Sequence, residues 1–190
     1  TMNIAKLTSW YHMMLGPVID EQQTEMLQVW LMQQLNGHEG ADKFRLTLVL
    51  TAREGTYPAC IAMYDFLRSL RDIELHVVSQ GVVANAMALI PLAAEPERRW
   101  AMPNTVFQVR FPSITGANGQ FSLDKQRPQD DEEYLERQAA HAKEQMVDGL
   151  PLLYRLRDTA VNIFANRLND CSEADVRDFL HDGEVFGLDG

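Results

Sequence analysis

The sequence predicts an α/β fold built from β-α-β repeats. Apolar, β-branched runs of strand length occur at residues 10–16 (WYHMMLG), Phe44 to Thr51 (FRLTLVLT) and Ile73 to Ser79. The segments between them, Glu21 to Leu35 and Ala59 to Leu70, repeat their apolar residues at helical spacing. Strands that alternate with helices in this way form a parallel sheet with right-handed crossovers.

The elements follow in order. The first strand ends at Gly16-Pro17, a pair that interrupts extended pairing. Asp20 is an N-cap for the first helix, which carries Met26, Leu27, Trp30, Leu31 and Leu35 and stops at Asn36-Gly37. Phe44 to Thr51 is the second strand, and Gly55 turns the chain into the second helix. Ile73 to Ser79 is a buried strand, on which His76 and Ser79 point to opposite faces. Asn85 to Ala94 is helical, with a kink or an end at Pro91. Thr105 to Phe111 alternates as a further strand of the same core. Residues 113–131 are polar, with Gly116, Gly119 and Pro128, and are expected to be a loop. A charged helix spans Asp130 to Val147, and Gly149-Leu150-Pro151 breaks it. Another helix runs from about Leu152 to Leu168, and a short helix with a turn closes the sequence from Ser172 to Gly190.

The 190 residues suffice for one domain with a sizeable core. A formal net charge of −10 argues against phosphate-backbone binding, which rests on basic patches. Cys60 and Cys171 lack metal-ligand spacing and are expected to be free thiols in a reducing compartment. No apolar run is long enough to span a bilayer. The five histidines, His12, His38, His76, His141 and His181, show no ligand pairing, and no glycine-rich phosphate cradle occurs, so no cofactor or metal is expected. No signal or transit peptide is visible in the sequence, although a presequence removed by cleavage would leave no trace.

Four collinear blocks carry a resemblance. They are YHMMLGPVID (11–20), LTLVLTAREGTYPACIAMYD (46–65), GVVANAMALIPLAAEPERRWAMPNTVFQVRFP (81–112) and RDFLHDGEVFGLDG (177–190). Together they resemble the ClpP-type serine protease family, within the wider crotonase-like superfamily. The resemblance implies a single ClpP-like domain. Residues 1–112 and 169–190 would form its head, and about 113–168 a loop insertion and a protruding handle helix. Counting from Pro103-Asn104, the family's nucleophilic serine falls on Asn85 and its histidine on Arg110, and the third triad position falls near Glu173. The oxyanion loop falls on Glu54 and Gly55, with a second N–H from Ala86. An unfoldase-docking pocket would be lined by Thr47, Val49, Ser69, Trp100 and Met102.

The chemistry at these positions departs from the family pattern. A carboxamide has no hydroxyl to add to a carbonyl, and a guanidinium does not accept a proton as a general base. Glu54 brings negative charge to a loop that would stabilise an oxyanion. These departures lead to the expectation that the chain is not an enzyme. It would be a ClpR-type subunit of a Clp protease core, in heptameric rings with active ClpP and other ClpR-type subunits. Its expected partner is a Clp AAA+ unfoldase, with weakened docking. Its expected place is the chloroplast stroma, after transit-peptide removal, or a bacterial or cyanobacterial cytoplasm. The alternatives are a crotonase-superfamily hydrolase with relocated catalytic residues and a stand-alone homomeric scaffold.

Overall fold

The structure is a computed structural model. It describes residues 11–38, 44–51, 54–71, 73–116, 119–122, 149–169, 171–182 and 185–186. The chain divides into two compact units, Thr1–Gln108 with Val185–Gly190, and Val109–Glu184.

The first unit is organised by a four-stranded parallel sheet, in the order β1 (Tyr11–Leu15), β3 (Phe44–Leu50), β5 (Ile73–Ser79), β7 (Arg99–Ala101). This is the predicted β-α-β core. Leu46, Leu48 and Leu50 pair in register with Leu75, Val77 and Ser79, and all six are buried. Helix α1 (Glu21–Asn36) begins where predicted, with the Asp20 carboxylate accepting from Gln23 N at 2.8 Å. Helix α2 (Tyr57–Ser69) is capped by Thr56, whose hydroxyl accepts from Ala59 N at 3.3 Å. The two helices are tied together by the buried Thr24, whose hydroxyl reaches Ala59 O at 3.3 Å. Leu27 and Leu31 of α1 face inward, whereas Met26, Val29 and Met32 form an exposed apolar stripe on its outer side.

Several expectations are corrected. Asn85 to Ala94 is not one kinked helix but two 3₁₀ turns, Asn85–Leu89 and Pro91–Ala93. Pro91 removes a donor and splits the segment, and tight turns fit the short apolar run between the sheet and α2. The strand predicted over Thr105 to Phe111 is only β8 (Val106–Gln108), and it lies outside the parallel core. It joins β6 (Val82–Ala84) and β11 (Val185–Phe186) in a second sheet, drawn there by the bond from Val106 N to Gly81 O (2.9 Å). The core's fourth strand is instead β7, too short to show a period in the sequence. Two further residues of extended chain, β2 (Val18–Ile19), pair with β4 (Glu54–Gly55).

In the second unit, part of the expected loop forms an antiparallel hairpin, β9 (Ser113–Gly116) with β10 (Gly119–Ser122). Gly116 and Gly119 pair at the end of its ladder, so the glycines that signalled a loop belong to a strand pair. Gly149-Leu150-Pro151 does not precede the next helix but forms the first turn of the helix Gly149–Arg167, where proline is tolerated. The helix Glu173–Asp182 follows, and Phe111 N donates to Leu180 O at 3.1 Å. The predicted charged helix over Asp130 to Val147 lies outside the described residues. Among the described residues no helix is long and apolar enough to cross a membrane.

Candidate functional site

The parallel strands deliver their carboxyl ends to one edge of the sheet, where open α/β sheets place their sites. A run of backbone bonds assembles that edge: Thr51 N to Leu15 O (2.9 Å), Gln80 N to Leu50 O (3.0 Å) and Met102 N to Ser79 O (2.9 Å). The Thr105 hydroxyl adds a buried bond to Ser79 O at 2.9 Å, which fixes the Pro103-Asn104 turn above the strand end.

From this edge the chain passes through β6 into a sharp elbow at Asn85. Its φ is +51°, the one left-handed non-glycine backbone among the described residues. Asparagine tolerates that region better than most side chains. Asn85 is exposed, while Ala86, Met87, Ala88 and Leu89 behind it are buried. Its side chain caps nothing; the turn's N-cap is Ala84, with no side-chain hydrogen bond. The segment's far end is clamped by Arg99, which donates from Nε to Ala94 O (3.0 Å) and from Nη2 to Leu92 O (3.4 Å).

Strand β4 lies directly behind this elbow. Gly55 fits because it has no side chain: a Cβ there would sit 2.6 Å from Met87 Sδ and 2.8 Å from Cys60 Sγ. Cys60 is itself 3.7 Å from Met87 Sδ. Burial, aided by the charge of Glu21, pushes the Cys60 thiol up to about 12, so it packs as a small apolar residue and supplies no thiolate. Glu54 is exposed. Asn85, Ala86, Glu54 and Gly55 are thus gathered at one elbow.

Arg110 and Glu173 belong to the second unit. Arg110 is half-buried, between the buried Val109 and Phe111, just beyond β8. Glu173 is an exposed carboxylate in the first turn of its helix, where it complements the helix dipole. That helix starts with a capping box: the Ser172 hydroxyl accepts from Asp175 N (3.2 Å), while Asp175 Oδ2 accepts from Ser172 N (2.9 Å) and Oγ (2.6 Å).

Of the residues expected to dock a partner, three share one face of the parallel sheet. Val49, Val78 and Trp100 form a register row, and Thr47 sits beside His76 in the next. Thr47 is fully buried, and Val49 and Trp100 are half-buried. Ser69 is exposed at the end of α2, with its hydroxyl on Phe66 O (2.7 Å), and Met102 is half-buried after β7.

The sequence reading treated His76 as a lone histidine, yet the structure gives it a setting. Its Nε2 lies 2.9 Å from Glu74 Oε1, and its ring stacks on Trp100 with centroids 5.0 Å apart and planes 3° apart. Arg45 approaches the other Glu74 oxygen at 3.4 Å. The signal was present as Glu-x-His on a strand, since residues two apart share a face. A carboxylate-oriented imidazole has the form of a general base, and among the described residues the hydroxyl beside it in register is that of the buried Thr47.

A family model described as Clp protease matches residues 2–138. The chain belongs to the Clp protease family. Among curated relatives it is 32% identical over 93 residues to the ATP-dependent Clp protease proteolytic subunit 1 of Corynebacterium efficiens, covering 48% of this chain and 44% of that protein. It is 32% identical over 94 residues to the proteolytic subunit 2 of Mycobacterium tuberculosis, with the same coverage. The matched region thus spans under half the length of these relatives. Among solved structures, a ClpP1 point mutant from Listeria monocytogenes superposes with a TM-score of 0.67 at 18% identity, over 94% of this chain and 83% of that one. That likeness establishes the ClpP-like fold. One expectation is overturned: the side chains at positions 85 and 110 suggested that the chain is not an enzyme, but the Clp relatives it matches are named proteolytic subunits, and the non-enzyme reading is withdrawn.

Proposed function

We propose that this chain is a ring-forming subunit of a Clp-type, ATP-dependent protease, and that it works in mixed rings beside ClpP paralogues to support assembly and protein degradation. The observation that carries this reading is the retained scaffold. The family match runs through β1, the Gly55 strand, the elbow and the Pro103-Asn104 turn, and the elbow keeps its left-handed backbone on a glycine floor. To such a ring this subunit would contribute its head, the elbow bearing Asn85 and a sheet face for an AAA+ unfoldase. The matched relatives are bacterial, which favours a bacterial cytoplasm over a plastid as the setting.

The experiment is native mass spectrometry of the complex purified through a tag on this chain, followed by a peptidase assay on the same material. Mixed rings that contain ClpP paralogues and cleave short peptides are expected. Recovery of the chain only as monomers or homomers would overturn the reading.

A further inference from the structure

We propose that proton uptake by His76 releases its stack on Trp100, so that the sheet face formed by Val49, Val78 and Trp100 responds to pH. With one proton on the ring, Nε2–H donates to Glu74 Oε1 at 2.9 Å, which leaves Nδ1 as the second protonation site. Among the described residues Nδ1 is buried and has no hydrogen-bond partner. A second proton placed there creates a buried N–H with no acceptor, and such a group bears its full desolvation penalty.

Two groups favour the cation in place, the Glu74 carboxylate and the Trp100 ring face. Glu74, however, is already engaged by Arg45 on β3 (3.4 Å), and the charge of Arg98, from the turn before β7, also acts on it. Its carboxyl is held below the ordinary range, chiefly by the His76 hydrogen bond, so it is a fixed anion throughout the range in which an imidazole takes its second proton. On β1, His12 lies in the same register row, one strand beyond Thr47, and adds a like charge when protonated. Arg45, Arg98 and His76 itself therefore share the single Glu74 carboxylate. The imidazolium is relieved by tilting off Trp100 and turning Nδ1–H toward water while Nε2–H keeps Glu74.

The consequence for partner binding rests on the docking role given to this face under Proposed function. The test uses the full chain. Intrinsic fluorescence is followed from mildly alkaline to mildly acidic pH, with far-UV circular dichroism alongside. A reversible emission change at constant secondary structure is expected, and it should vanish in both His76→Gln and Trp100→Phe. A transition that persists in His76→Gln, or a flat wild-type titration, would overturn the proposal. Binding to a purified Clp AAA+ ATPase is then measured across the same range. Loss of binding on acidification, restored in His76→Gln, supports the link to docking. Absence of binding at every pH, with the emission change intact, counts against the docking role and leaves the proton-driven release standing.

Discussion

Gly55 backs onto Met87 so closely that a Cβ at position 55 would lie 2.6 Å from the methionine sulfur. The strand behind the elbow and the turn that carries Asn85 are therefore fitted to each other through one missing side chain. Replacing Gly55 with alanine should cost about 1–3 kcal/mol, as overpacking does in well-filled cores. Urea denaturation of Gly55→Ala, Met87→Ala and the double variant should show the double change costing less than the sum of the singles. Strict additivity would show that the two residues do not compete for the same space.

The left-handed backbone at Asn85 makes a separate prediction. Asn85→Ala should destabilise by about 1–2 kcal/mol, because a Cβ without a local hydrogen-bonding group is disfavoured there. Asn85→Gly should remain within about 0.5 kcal/mol of the parent, since glycine enters the region freely. Equal losses for the two variants in chemical melts would mean that side-chain contacts, and not the φ of +51°, fix this residue.

The two cysteines should differ in reactivity. Cys60 is buried, with its thiol raised to about 12, whereas Cys171 is partly exposed. Burial and Asp175 also raise the Cys171 thiol, so its labelling should be slow but complete. Iodoacetamide at mildly alkaline pH should add one group to the native protein, at Cys171 by peptide mass spectrometry, and two in denaturant. Native labelling of Cys60 would show that the elbow's floor opens.

The Ser172–Asp175 capping box should lend the C-terminal helix an acid-sensitive contribution. Hydrogen bonds from Ser172 hold the Asp175 carboxyl below its ordinary 3.8. A folded-state value below the unfolded one means that the contribution is present above 3.8 and is lost as pH falls through the folded value. Ser172→Ala should therefore lower stability near neutrality and flatten its decline at low pH, as followed by helix circular dichroism. An unchanged acid limb would remove the capping box from the account.

The parallel core was legible because its strands are long and its helices carry explicit stops: Asp20 caps α1 as its side-chain chemistry predicts, and Phe44–Leu50 pairs over its whole length. Shorter elements escaped. Arg99–Ala101 has three residues and is defined by its neighbour β5, and β9–β10 is bracketed by the same glycines that mark loops. At the site, positions 54, 55, 85 and 86 could be grouped because the resemblance to the ClpP-type family aligned them with one catalytic elbow. The buried environment of Cys60 and the stack of His76 on Trp100 could not, because both arise from contacts between segments far apart in sequence. The withdrawn non-enzyme expectation came from weighing the side chains of Asn85, Arg110 and Glu54; the relatives' names weighed on the other side.

The buried Thr24 hydroxyl lies between α1 and α2, within reach of both Asp20 O (3.0 Å) and Ala59 O (3.3 Å), and Leu27 and Leu31 are seated in the core beside it. Rolling the helix about its axis would draw Leu27 and Leu31 out of the core. Its outward Met26, Val29 and Met32, between 47% and 56% exposed, therefore cannot be turned inward when the chain is alone. Uncovered, this stripe is a permanent colloidal liability, and the isolated chain should lose solubility as salt of the sulfate type strengthens apolar burial.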